Sequence, residues 1–339
     1  MNAAETKSPF PQTIMAGMRP TGNLHLGHHL GVLTNWLQLQ HQFPCYFSVV
    51  DWHALTTQGE RAEKYILDNT LEMVLDWLAA GIDPEKAVIF RQSDITEIIE
   101  LHMLFSMLTP VKWVETDPTL KDMVQTLSDD LNYGLLGYPI LQTADILAMK
   151  ATHVPVGQDQ VAHLEISRDI TTRFNHVTKS SFFPHPKPLL TATPLLPGLD
   201  GRKMSKSYNN TIVLKSTAEE TQKAFKAAVT DPARVKKTDP GSPEKCVAVF
   251  PYYKIFADES TCATVASECQ TATRGCMDCK MQLADLVNTQ LAPMRAKRLE
   301  LDTQSAITVL KTGAEKARAV ASPIVKEAKA LMGLKALSL

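Results

Sequence analysis

No apolar run in the 339-residue chain approaches the roughly 20 residues that a membrane-spanning helix needs. The N-terminal MNAAETKSPFPQ lacks the apolar core of a secretory leader. Both absences point to a soluble protein of the cytosol with no membrane partner. Positive charge is not in excess either, since 35 Lys and Arg stand against 36 Asp and Glu for a formal charge of −1. That balance excludes a global field for nucleic acid and leaves only local basic patches. Cysteine is sparse at six residues, and without secretory features these read as reduced thiols or metal ligands rather than a disulfide framework. Internal repeats and low-complexity tracts are missing. What remains is a composition 44% hydrophobic, enough for a substantial core in one large or two modest domains.

From Thr13 to about Leu190 short β-branched or aromatic runs alternate with longer amphipathic ones, the pattern of an α/β fold around a parallel sheet. Strands are expected at Thr13–Met18, Tyr46–Val50, Ala87–Phe90 and His153–Val156, and helices at Leu26–Gln40, Arg61–Ala80 and Gln158–Phe174. The proline-rich stretch Pro184–Pro197 reads as a loop. After about Tyr208 strand signals fade and helical periodicity dominates. The expected architecture is a Rossmann-like, doubly wound sheet over residues 1–207, followed by a helical domain over 208–339 whose last helices are free to pack back on the first.

The segment Gly17-Met-Arg-Pro-Thr-Gly-Asn-Leu-His-Leu-Gly-His28 follows the first expected strand and opens a helix. In such folds this is where backbone N–H groups and a positive helix end meet phosphate. His25 and His28, three apart, share a helix face and can both donate to phosphate oxygen, and Gly27 lets a flat base approach the backbone. By itself the segment is also compatible with a solvated histidine pair or with zinc. About 175 residues downstream stands Lys203-Met-Ser-Lys-Ser207. Its two ammonium groups and two hydroxyls suit the charge that builds on a triphosphate under attack, although alone it could be a basic surface loop.

In this order the two segments resemble the HIGH and KMSKS signatures of class I aminoacyl-tRNA synthetases. The resemblance runs through nearly the whole chain and is strongest to the tryptophanyl branch, in RPTGNLHLGHHLGVLTNW, VVDWHALTT, YPILQTADILAMKATHVPVGQDQVAHLEISRDI, KMSKS and GAEKARAVA. It implies ATP and Mg²⁺, L-tryptophan and tRNA(Trp) as partners, and a homodimer. It implies an ATP site of Gly17, Arg19, Thr21, Gly22, His25, Gly27 and His28 with Lys203, Met204, Ser205, Lys206 and Ser207, in which His25, His28, Lys203 and Lys206 are catalytic. In YPxLxxADI, Tyr138, Gln142 and Asp145 fall at helical spacings of four and three and can share a face. Indole has one N–H donor and no acceptor, so a carboxylate at Asp145 would orient tryptophan and reject phenylalanine, the role the resemblance gives it.

The resemblance also assigns Val50, His53, Val154 and Val156 to the indole region, with Gly157 beside it, and Tyr138 and Gln160 to the substrate's α-amino end. Two positions depart from many bacterial members, which carry Gln at Arg19 and Met at Gln142; an acceptor at Gln142 keeps a tyrosine–tRNA ligase as the alternative. A nucleotidyltransferase that uses no tRNA would share the first motif but not the long helical C-terminal part. No editing insertion is evident, in keeping with a substrate that one pocket can select.

Cys246, Cys269, Cys276 and Cys279 are separated by 22, 6 and 2 residues. Four thiolates suit a soft-metal site, and the spacing leaves Zn²⁺ and iron both open because only one short pair is present. A redox or iron-sensing protein would account for these cysteines but not for the two motifs. A subset of tryptophanyl enzymes carries this C-x22-C-x6-C-x2-C pattern, and the resemblance implies a [4Fe–4S] cluster in the domain that meets the anticodon. Arg295, Lys297 and Arg298 nearby are the expected contacts to RNA phosphate.

Overall fold

The computed structural model describes residues 10–58, 65–116, 121, 132–157, 161–190 and 196–335. Five strands, β1 (Ile14–Met18), β2 (Cys45–Val49), β3 (Ala87–Arg91), β4 (His153–Val156) and β5 (Lys187–Leu190), form one wholly parallel sheet in the order β3-β2-β1-β4-β5. Along β1, Ile14, Ala16 and Met18 sink into one apolar core and Met15 into the other, the alternation a strand imposes. Both faces are covered, as a parallel sheet requires. On one, Trp36 stacks on Phe47 at 4.3 Å and meets Trp77 edge-on at 5.1 Å. On the other, Phe105, Phe174, Phe182 and Phe183 pack ring against ring.

Four strands lie within a residue or so of expectation, whereas β5 lies inside the stretch expected to be a loop. Its prolines hid it: Pro188 pairs with Val154 on the outermost strand, where a missing N–H is tolerated. The helix expected over Leu26–Gln40 is two helices, α1 (Leu26–His28) and α2 (Thr34–Leu39), joined by a wider π-type turn, His29–Leu33. There the Thr34 hydroxyl donates to the His29 carbonyl at 2.9 Å, five residues back.

Helices α3 (Asp51–Gln58), α4 (Ile66–Ala80), α5 (Thr96–Ser106), α6 (Val111–Glu115), α7 (Tyr133–Leu136), α8 (Tyr138–Ala148) and α9 (Val161–Val177) complete the α/β part. The expected starts of α4 and α9, residues 61–64 and 158–160, lie outside the described residues. Beyond β5 the described residues hold helices and turns, α10 (Ala218–Ala227), α11 (Phe250–Phe256), α12 (Glu259–Gln270), α13 (Cys276–Leu299) and α14 (Thr303–Leu331), and no further strand. Polar caps start several of them: Thr217 and Glu220 form a reciprocal box on α10, and Asp302 accepts from the Ser305 N–H at 2.8 Å. Among the described residues no helix is long and apolar enough to cross a membrane.

The last helix returns to the sheet. Gly313 of α14 lies flat on β3, where an added Cβ would stand 2.6 Å from the Ile89 carbonyl carbon. Arg318 donates to the Asp94 carbonyl and Lys329 pairs with Glu100 at 2.6 Å, so α14 covers the exposed edge of the outermost strand. Arg295 and Arg298 do not match the expectation of RNA contact. Arg298 pairs with Glu72 at 2.9 Å and Asp76 at 3.2 Å. Arg295 donates to Asn288 at 2.7 Å and Thr221 at 2.8 Å. Both join α13 to its neighbours, and Lys297 alone of the three is exposed.

Candidate active site

Strand order reverses between β1 and β4, and the carboxyl ends of these strands leave a crevice. A cavity of about 310 Å³ opens there, at the lower end of small-molecule sites, about 300 to 1,000 Å³. Gly17, Arg19, Val50, His53, Tyr138, Gln142, Asp145 and Val154 line it, as do the unanticipated Met15, Thr56, Leu135 and His163. Val156 is instead buried in the core behind it, Gly157 does not line it, and Gln160 lies outside the described residues.

Asp145 is 4% exposed on α8 and is held by two side chains. The Gln92 amide donates to Oδ1 at 2.8 Å and Oδ2 at 2.9 Å, and His53 Nε2 stands 3.0 Å from Oδ2. The Trp52 N–H donates to Gln92 Oε1 at 3.1 Å, which fixes which end of the amide faces the carboxylate. The single Gln92 nitrogen spans both oxygens and His53 stands on Oδ2, so Oδ1 is the less occupied oxygen and can accept a further donor. Gln92 was missed in the sequence, although its position just past β3, at the carboxyl edge of the sheet, is a usable signal. Nearby, Tyr138 Oη and His163 Nε2 are hydrogen-bonded at 2.9 Å. Arg19 donates to Thr57 Oγ1, and its buried Nε has no partner among the described residues. Gln142 Oε1 is likewise buried without one.

Beside the cavity runs the His25–His28 loop. Gly22 has φ of 122°, a conformation that favours glycine. His25 stands just ahead of α1 in extended conformation rather than on it, its ring 3.8 Å from that of His28. The His25 backbone N–H donates to His28 Nδ1 at 3.1 Å, so a neutral His28 carries its proton on Nε2. Burial and the Lys206 ammonium hold His25 down at about 4; burial, His25 and Lys206 hold His28 at about 3. Both rings are therefore neutral donors at physiological pH.

The Lys203–Ser207 segment folds against this loop. The chain just beyond it is tied to the same loop by two antiparallel hydrogen bonds, Leu26 N–H to Ile212 O at 2.8 Å and Leu214 N–H to Leu24 O at 3.0 Å. Met204 is buried and its Sδ, with the His25 ring, fills the space in front of Gly27. Lys206 lies against Gly22, and burial lowers its ammonium to about 8. Lys203 is exposed, and its backbone is bridged to Pro197. The fold thus brings Lys206, His25 and His28 together and leaves Lys203 at the rim.

At the other end Cys246, Cys269, Cys276 and Cys279 line one small cavity and are all free thiols. Arg234 Nη1 lies 3.9 Å from Cys269 Sγ and 3.8 Å from Cys276 Sγ. Among the described residues no three His, Cys, Asp or Glu groups are placed to hold one metal ion.

This geometry has close counterparts. The family model described as tRNA synthetases class I (W and Y) matches residues 8–292. The tryptophan–tRNA ligase of Thermotoga maritima is 44% identical over 331 residues, 95% of this chain and 99% of its own. That of Ralstonia nicotianae is 37% identical over 398 residues, 96% of this chain and 99% of its own. Among solved structures, Campylobacter jejuni tryptophanyl-tRNA synthetase complexed with ADP and tryptophan matches with a TM-score of 0.87 at 32% identity, covering 95% of this chain and 100% of that one.

Proposed function

Because the chain belongs to the class I tRNA synthetases for tryptophan and tyrosine, we infer that it activates L-tryptophan with ATP and passes it to tRNA(Trp). It is a tryptophan–tRNA ligase. In the site, the observation that carries this reading is the buried Asp145 carboxylate with Oδ1 open to a further donor, which suits a ring with one N–H donor and no acceptor. Charging of a tRNA(Trp) transcript with labelled tryptophan tests it; a chain that forms adenylate yet charges no tRNA refutes the second half.

The tryptophan carboxylate attacks the α-phosphorus in line, pyrophosphate leaves, and a ribose hydroxyl of the tRNA 3′ end takes the acyl group. Positioning and charge stabilisation supply the catalysis, with no protein nucleophile. Gly17, Arg19, Thr21, Gly22, His25, Gly27 and His28, with Lys203, Met204, Ser205, Lys206 and Ser207, hold the ATP. His25 and His28 donate neutral N–H groups to phosphate, and Lys206 supplies a cation where negative charge grows. Lys203 joins from the rim when the triphosphate fills the crevice. Mg²⁺ arrives with the nucleotide and shields its phosphates. Val50, His53, Tyr138, Gln142, Asp145 and Val154 form the tryptophan side, with Val156 packed behind it in the core, and Gln160 is the expected contact to the α-amino end.

Residues 1–207 make the catalytic part and 208–339 a helical part that meets the anticodon, its last helix packed back on the sheet. Cys246, Cys269, Cys276 and Cys279 line one small cavity, and the resemblance of their C-x22-C-x6-C-x2-C spacing to that of a subset of tryptophanyl enzymes favours a [4Fe–4S] cluster over Zn²⁺. The cluster acts as a structural cross-link. A homodimer accounts for the apolar stripe Ile99, Met103 and Met107 along α5, with Val111 and Tyr133 beside it, all at least 36% exposed. The site of action is the cytosol, where charged tRNA is consumed.

A further inference from the structure

We propose that Asn210 is the positioning residue of the Lys203–Ser207 loop, a clasp that fixes the loop's shape so that Lys206 stands at the His25–His28 motif during adenylate formation. The proposal rests on the ligase reading and deepens it. Asn210 is 3% exposed, and each end of its side chain is used inside the loop. Its Oδ1 accepts from the Ser205 N–H at 2.8 Å, and its Nδ2 donates to the Lys203 carbonyl at 3.1 Å and to Asp200 Oδ1 at 2.7 Å. One side chain therefore ties together residues 200, 203 and 205.

The clasp is closed by the backbone as well. The Leu199 N–H donates to the Asn210 carbonyl at 2.9 Å, and the Gly198 N–H to Arg202 O at 2.6 Å. A Cβ at Gly198 would overlap the Asn210 carboxamide and stand 2.8 Å from its Oδ1, so the glycine is what admits the amide. Asp200 is held in turn by the Arg202 backbone N–H at 3.0 Å and by Arg202 Nε at 2.7 Å. Two residues beyond Asn210, Ile212 is bonded to Leu26 of the first motif. Asn210 thus stands at the joint between the lysine loop and the part of the chain anchored to the nucleotide loop. It touches neither substrate cavity nor histidine, so its effect on the reaction passes through the loop.

Loss of such positioning shows in the chemical step, because a displacement of about 1 Å in a charge-stabilising group lowers rate by roughly 100-fold. Asn210→Ala should reduce kcat for tryptophan-dependent pyrophosphate exchange roughly 10- to 100-fold, leave tryptophan binding without ATP intact, and hasten trypsin cleavage after Arg202, Lys203 and Lys206. Gly198→Ala should reproduce that pattern. Asn210→Asp sets a carboxylate against Asp200 and should be at least as slow. Combined with Asp200→Asn, which restores an amide–carboxylate pair, it should regain roughly 3- to 10-fold in kcat, as expected for contacting residues. The proposal is overturned by unchanged kcat, by a rise confined to the KM for ATP, by a double variant no faster than Asn210→Asp alone, or by joint loss of tryptophan binding and thermal midpoint in every variant. A wild-type chain that fails to exchange with tryptophan would refute the ligase reading instead, and the trypsin comparison would still judge the clasp.

Discussion

Replacing Asp145 by alanine isolates the contact on which tryptophan selection depends. The carboxylate lies 4% exposed with Gln92 and His53 already bonded to it, and Oδ1, the less occupied oxygen, is open to the substrate. Asp145→Ala removes that acceptor and leaves the indole N–H buried without a partner, at about 1 to 3 kcal/mol. Converted at 1.4 kcal/mol per decade, kcat/KM for tryptophan should fall roughly 5- to 150-fold. The variant also orphans the Gln92 amide and His53, so folding stability should drop by a similar amount, and assays belong well below its thermal midpoint. The cleanest form is a cycle against a substrate analogue whose side chain is benzothiophene, with sulfur where indole has N–H. Wild-type protein should discriminate against the analogue by about the same factor, and Asp145→Ala should hardly discriminate at all. Equal discrimination by both proteins would show that Asp145 does not receive the indole hydrogen.

Lys206→Ala should lower kcat with little change in the KM for ATP, because its charge matches one that appears during attack. Since burial sets the Lys206 ammonium at about 8, charge is present below that pH and lost above it, so kcat/KM of the wild type should decline above about pH 8; a flat profile to pH 10 would contradict the role. Gly313→Ala should destabilise the fold by about 1 to 3 kcal/mol or more in urea unfolding, through collision with the Ile89 carbonyl; an unchanged midpoint would refute the packing of α14 on β3. Anaerobically purified protein should be brown and hold about four iron and four sulfide per chain. One zinc, or no metal, in that preparation would reject the cluster and leave the ligase reading untouched.

Much of the α/β part was legible because its signals are local. Apolar runs of strand length between amphipathic stretches gave four strands, and a glycine-bearing segment between a strand and a helix marked the His25–His28 loop beside the cavity. Asp145 was legible for the same reason, since its helical spacing from Tyr138 and Gln142 is fixed within one element. Gln92 was not: its partner is 53 residues away, and only the closing of the sheet brings them together. β5 was hidden by prolines that an interior strand would reject and an edge strand accepts. Arg295 and Arg298 carry the composition of an RNA-facing patch, yet Glu72 and Asp76 of α4, Thr221 of α10 and Asn288 of α13 turn them inward. Asn210 was passed over because its three hydrogen bonds exist only once the loop has folded.

Selection of tryptophan and its joining to AMP are read out together by ATP–pyrophosphate exchange measured side by side with tryptophan, tyrosine and phenylalanine. Exchange should be rapid with tryptophan, and slower by several orders of magnitude with phenylalanine, which leaves the Asp145 acceptor unmet, and with tyrosine. Exchange driven best by tyrosine, or independent of any amino acid, would contradict that selection.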